Sequence, residues 1–124
     1  GQSGEYGFQI ISGADTVKSL SGYEIFELDL LAVKGKTEPV TIFTIFEDAQ
    51  SDIDDADVFR AAHQEFLKAY RAQDWDAAMK HINRYQKEVP SFNHYYDLFA
   101  ARIKSLQKNP PGSDWTGVFV ALSK

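Results

Sequence analysis

The amino-acid sequence predicts an α+β fold, in which a small, mainly antiparallel sheet with a β-hairpin is followed by three amphipathic helices and a C-terminal strand. Three observations carry this. Up to Phe46, short β-branched and aromatic runs alternate with turn residues. Beyond Asp57 the apolar residues recur every three or four positions. After Asn109-Pro110-Pro111-Gly112, the tail from Trp115 to Leu122 (WTGVFVAL) returns to strand composition. A strand so far along the chain needs a sheet edge, and the hairpin sheet is the one available.

In chain order, Phe8-Gln9-Ile10-Ile11 reads as a short strand, and Ala14 to Leu20 as a short helix ended by Gly22. Tyr23 to Val33 and Val40 to Phe46 are extended apolar segments on either side of Lys34-Gly35-Lys36-Thr37-Glu38-Pro39. That is a hairpin: Gly35 is free to take φ > 0, and Pro39 suits the start of the returning strand. Strict alternation would put Phe26, Leu28, Leu30 and Ala32 on one face, and Ile25, Glu27, Asp29, Leu31 and Val33 on the other.

The helical half shows three stripes. Phe59, Ala62, Phe66, Ala69 and Tyr70 make the first, and Trp75, Ala78, Ile82, Tyr85 and Val89 the second. Phe92, Tyr95, Phe99, Ile103 and Leu106 make the third. Gln73-Asp74 divides the first two helices, and Pro90-Ser91 divides the second from the third, with Ser91 placed to cap it.

With 124 residues, 44% of them hydrophobic and 14% aromatic, the chain can bury a core. It has no cysteine, which removes disulfides, thiolate metal sites and a cysteine nucleophile, and suits a reducing compartment. No apolar run approaches the ~20 residues of a membrane span, no signal segment opens the chain, and a cytoplasmic location is expected. The net charge of -5 is unevenly distributed: residues 1–48 hold 8 acids and 3 bases, residues 49–124 hold 10 of each. Neither part has the basic excess that nucleic acid requires, so nucleic acid and membrane are not expected partners.

Several chemical motifs fail on spacing. Gly35-Lys36-Thr37 matches the end of a phosphate-cradling loop, but the first glycine position holds Leu30, and the segment joins two strands instead of opening a helix. What is left is a hairpin tip with Lys34 and Lys36. A solvated turn is the simpler reading, although a lysine at a strand end can meet a phosphate as a point charge. Glu47, Asp48, Asp52, Asp54, Asp55 and Asp57 form an acidic stretch that fails as a calcium loop: Asp57 stands where glycine is needed, and His63 where glutamate is. A solvated linker, with Asp55 or Asp57 capping the next helix, is expected there. His63, His81 and His94 fall on three different helices without metal-ligand spacing, so each reads as a surface or partly buried residue. Gly1-Gln2-Ser3-Gly4 stops one residue short of a nucleophile elbow, since Glu5 follows. No catalytic or metal residue is assigned.

Two resemblances add to this reading. Asp74-Trp75-Asp76-Ala77-Ala78 resembles the part of a tetratricopeptide repeat where small residues let two helices pack closely. A second copy ~34 residues on would meet Pro110-Pro111-Gly112, so the helical half reads as one tetratricopeptide-like unit plus a helix.

The run Leu28-Asp29-Leu30-Leu31-Ala32-Val33-Lys34-Gly35-Lys36-Thr37-Glu38-Pro39-Val40-Thr41-Ile42-Phe43 resembles the closing hairpin of class III adenylate/guanylate cyclase catalytic domains. Tyr6 to Ser12 resembles the strand before it, and Pro110-Pro111, Asp114-Trp115 and Gly117-Val118 match a pattern in the helical extension of some of these cyclases. The resemblance implies that residues 1–48 are the C-terminal segment of the catalytic domain, 49–57 an acidic linker, and 58–124 a helical extension with its closing strand. In the full-length parent, ATP before GTP would be converted to the cyclic nucleotide and pyrophosphate, with magnesium or manganese as cofactor and a homodimer as the working form. Any membrane anchor of the parent would lie upstream.

The family's metal aspartates, purine-selecting residues and transition-state asparagine and arginine would also lie upstream of Gly1. Only the phosphate-contacting lysine has a counterpart here: Lys36 matches best, with Lys34 beside it. By this reading the chain alone is inactive and binds no cofactor. The alternative expectation is that the helical half is a regulatory module that binds a peptide, a protein or a second protomer.

Overall fold

The structure, a computed structural model, describes residues 10–12, 23–32, 35, 37–47, 53 and 55–120. It has the α+β architecture expected. Its elements are β1 (Ile10–Ser12), β2 (Tyr23–Ala32), β3 (Val40–Glu47), α1 (Ala56–Arg71), α2 (Trp75–Glu88), a 3-10 turn (Pro90–Phe92), α3 (Asn93–Lys108) and β4 (Val118–Val120). The expected helix at residues 14–20, and Phe8, Gln9 and Val33 of the expected strands, lie outside the described residues. Contacts divide the chain into residues 1–51 with 117–124, and residues 52–116.

Among the described residues the first unit holds a mixed four-stranded sheet in the order β1-β3-β2-β4. β3 is antiparallel to both β1 and β2, and β4 runs parallel to β2, with Leu30, Leu31 and Ala32 opposite Val118, Phe119 and Val120. The tail therefore returns to the sheet, but its strand is shorter than the segment from Trp115 to Leu122. Gly35 turns the hairpin at φ +90, where a side chain would be strained.

The alternation expected along β2 is broken by a bulge. Glu27 faces Phe43 and Asp29 faces Ile42, which leaves Leu28 as one extra residue on its strand. Phe26 and Leu28 are buried, and beyond the bulge Asp29 and Leu31 are buried as well, while Leu30 and Ala32 are half-exposed. An inserted residue reverses which side chains point inward, so the two-faced pattern read from the sequence holds only up to Leu28.

The second unit is helical. Asp55 caps α1 by accepting from the Val58 N–H, and Asp74 caps α2 by accepting from the Ala77 N–H. Ser91 is not the residue in the capping position of α3. Pro90 opens the 3-10 turn, Ser91 sits inside it, and α3 starts at Asn93 with buried Phe92 in the capping position and no side-chain capping bond. The three stripes meet in an aromatic core: Phe59, Phe66, Tyr70, Phe92, Tyr95, Tyr96 and Phe99 are each at most 2% exposed. Most of their rings meet edge-on or tilted, as with Phe59 and Phe92 at 4.9 Å and Tyr95 and Phe99 at 4.6 Å, which adds about 0.5–1.5 kcal/mol per pair beyond simple burial. Arg102 is buried with its guanidinium 4.5 Å from the centre of the Phe99 ring, so a cation sits on a π face inside the unit.

Candidate functional site

Lys34 and Lys36, the candidate phosphate lysines, lie outside the described residues. Around them Gly35, Thr37, Glu38 and Pro39 are exposed. The hairpin therefore presents its turn to solvent, but the geometry of the two amines is not described.

The helical unit brings together residues the sequence left apart. His63 of α1 and Tyr96 of α3 are fully buried, and His81 of α2 is half-buried. The Tyr96 hydroxyl lies 2.9 Å from His63 Nδ1 and 2.7 Å from His81 Nε2. A phenol has one proton to give, so at least one imidazole must donate its N–H to the Tyr96 oxygen. Phe66 stacks on the His81 ring at 4.9 Å and meets Tyr96 edge-on at 5.4 Å, which holds both rings in place.

Burial, then the neighbouring His63 and Arg84, push the His81 imidazole down to about 3 from 6.5. Burial, and secondarily Tyr85, raises the Tyr96 phenol well above its ordinary range. At neutral pH His81 and Tyr96 are therefore both uncharged. A weakly basic imidazole and a weakly acidic phenol are poorly matched to general acid–base work, whereas a buried hydrogen-bonded bridge through three helices suits an anchoring role. His94 is exposed and takes no part.

Of the three histidines expected at the surface or partly buried, His94 and His81 are so placed, whereas His63 is fully buried and shares the Tyr96 hydroxyl with His81. The available signal was their place on the stripes: His63 lies four residues after Phe59 and three before Phe66, and His81 three after Ala78 and four before Tyr85. Among the described residues no group of three or more His, Asp or Glu side chains converges.

His81 also lines a groove of about 660 Å³ between α1 and α2. Its floor is Ala62, Phe66 and Ala69, with Lys68, Lys80 and Arg84 around it. Ala78 is fully buried, as close helix packing requires, while Ala62 and Ala69 stay half-exposed and keep the groove open. Arg84 is tied to Glu88 at 3.2 Å, an exposed pair that contributes little to stability.

No described helix is long and apolar enough to cross a membrane. Comparisons with protein-family models, curated proteins and solved structures gave no match.

Proposed function

We propose that this chain is the C-terminal part of a class III nucleotide cyclase, with the parent converting ATP, or less favourably GTP, to a cyclic nucleotide and pyrophosphate. The observation that carries the reading is the Lys34-Gly35-Lys36-Thr37-Glu38-Pro39 run between two antiparallel strands. A lysine there would meet the terminal phosphates as a point charge and favour pyrophosphate departure. Cyclisation also needs divalent ions, which neutralise phosphate charge, and a positioned 3′-hydroxyl; on this reading the parent would supply the carboxylates for the metal. This chain by itself should form no cyclic nucleotide from ATP or GTP with manganese. In the parent, Lys36→Ala should weaken nucleotide binding and turnover without unfolding the domain. Turnover by the chain alone, or unchanged kinetics in the Lys36→Ala parent, would overturn the assignment.

A second function, compatible with the first, is that the helical unit docks a peptide or protein and regulates the parent. The groove between α1 and α2, with an apolar floor and charged margins, favours this. A peptide that shifts the NMR signals of Ala62, Ala69 and His81 without disturbing α3 would support it.

A further inference from the structure

Within the helical unit, the groove between α1 and α2 and the Tyr96 bridge meet at one residue, His81. Its Nε2 lies 2.7 Å from the Tyr96 hydroxyl, which lies 2.9 Å from His63 Nδ1. Its other nitrogen, Nδ1, makes no hydrogen bond among the described residues, yet it is not sealed from water. The half-buried ring therefore has one nitrogen bonded in the core and the other open to the groove it lines.

A ligand in the groove would meet a polar anchor whose character is set from within. His81 is uncharged at neutral pH, so a single proton serves its two nitrogens. If Tyr96 accepts from His63 and donates to His81 Nε2, that proton sits on Nδ1 and faces the groove as a donor. If His81 donates from Nε2, Nδ1 is bare and offers only an acceptor.

The margins of the groove select the first arrangement. Lys68, Lys80 and Arg84 stand there against Glu65 and Asp74. Asp74 is engaged in capping α2 and Arg84 is tied to Glu88, but Lys68 and Lys80 are exposed and make no ion pair among the described residues. Three bases against two acids, on a chain of net charge -5, is a local reversal of sign that attracts an anion. An anion can accept from Nδ1–H and has nothing to donate to a bare Nδ1. Length indicates the kind of anion. The lining runs along α1 from Ala62 to Ala72, about 15 Å of helix. That is the reach of about four or five residues of extended chain, and more than a compact small acid would fill.

We infer that the groove takes a short acidic peptide segment in extended form, whose carboxylate accepts from His81 Nδ1 in the field of Lys68 and Lys80 while its apolar side chains lie over Ala62 and Ala69. This rests on the docking function proposed for the helical unit and names its ligand. Binding also fixes the direction of the bridge: Tyr96 accepts from His63 and donates to His81, so a ligand at the surface orders protons in the core.

The test is titration of the full chain at pH 7.5 with three mixtures of acetylated, amidated pentapeptides. The central residue is Glu, Gln or Lys, and the other positions hold Ala, Val, Leu or Phe. Amide NMR signals of Ala62, Ala69 and Lys80 report occupancy, and the ring nitrogen signals of His81 report where its proton sits. The Glu mixture should bind with an apparent Kd at least tenfold below that of the Gln mixture, as a charged hydrogen bond implies, and the Lys mixture should bind most weakly. With the Glu mixture bound, the His81 proton should be on Nδ1. His81→Gln can still meet Tyr96 but places nothing at Nδ1, so the Glu preference should fall to threefold or less, with circular dichroism confirming the helices. Equal binding of the three mixtures leaves the docking function standing and overturns the acidic ligand. A proton on Nε2 in the bound state, or a preference above threefold in His81→Gln, overturns His81 as the anchor; if that variant fails to fold, the ring signals of the unaltered chain decide. Acetate that competes as strongly as the Glu mixture overturns the peptide in favour of a small acid. No saturable shift with any mixture overturns the docking function and this inference together.

Discussion

Tyr96→Phe should destabilise the helical unit by about 2–4 kcal/mol although it removes a single oxygen atom. The substitution keeps the ring and opens no large cavity, so the contacts with Phe66 at 5.4 Å and Tyr95 at 5.2 Å survive. The hydroxyl is shared by two imidazoles, at 2.9 and 2.7 Å. Each bond contributes about 0.5–1.5 kcal/mol net, and a buried polar nitrogen that loses its partner costs roughly 1–3 kcal/mol. His63 is 0% exposed, so no water can replace the hydroxyl at Nδ1 without opening the core, and the larger cost applies there. His81 lines the groove and can turn to solvent, so its loss is nearer the net value of one bond. For a unit of this size, ~4–8 °C per kcal/mol gives a fall in melting temperature of roughly 10–30 °C. Urea unfolding at pH 7.5 followed at 222 nm measures the difference. Tyr85→Phe, which removes a hydroxyl at the groove wall, is the control and should change stability by less than about 0.5 kcal/mol. A Tyr96→Phe effect as small as the control's would refute the bridge as a stabilising element.

Acid should weaken the same unit. Folded His81 stays neutral down to about 3, held there by burial first and then by His63 and Arg84, while the unfolded imidazole takes up its proton near 6.5. Its contribution is therefore complete above pH 6.5 and is lost as pH falls from there toward 3, at a slope below the one-proton limit of about 1.4 kcal/mol per pH unit because the ring is partly solvated. His81→Gln should flatten the stability profile across that window, and an unchanged slope in urea melts would assign the acid effect to other groups. Asp55→Ala and Asp74→Ala should each cost about 1 kcal/mol by removing the caps of α1 and α2, and a double variant should be close to additive. Gly117→Ala should cost about 1–2 kcal/mol through its φ of +94 and release β4, seen as loss of protection at Val118–Val120.

The periodicities determined the order of elements. Phe59, Phe66 and Tyr70, like Phe92, Tyr95, Phe99 and Ile103, are buried because a helix with such a stripe has one low-energy way to face its neighbours, and that depends on spacing alone. Asp55 was readable as a cap for the same reason: capping acts over three residues. The hairpin too was local, with Gly35 at the turn. Other features depended on groups far apart in sequence. The bulge at Leu28 comes from how β2 matches β3, and a period-2 pattern carries no mark of an extra residue. The bridge of His63, Tyr96 and His81 joins residues 33 and 15 positions apart, so it exists only once three helices have packed. Trp115 belonged by composition to the tail strand, yet it packs on Tyr70 and Trp75, because a large indole beside two aromatic rings buries more apolar surface than it could in a three-residue strand. Spacing along the chain determines each element's faces, whereas the choice of partner for each face is made by the free energy of long-range packing, which only the folded chain expresses.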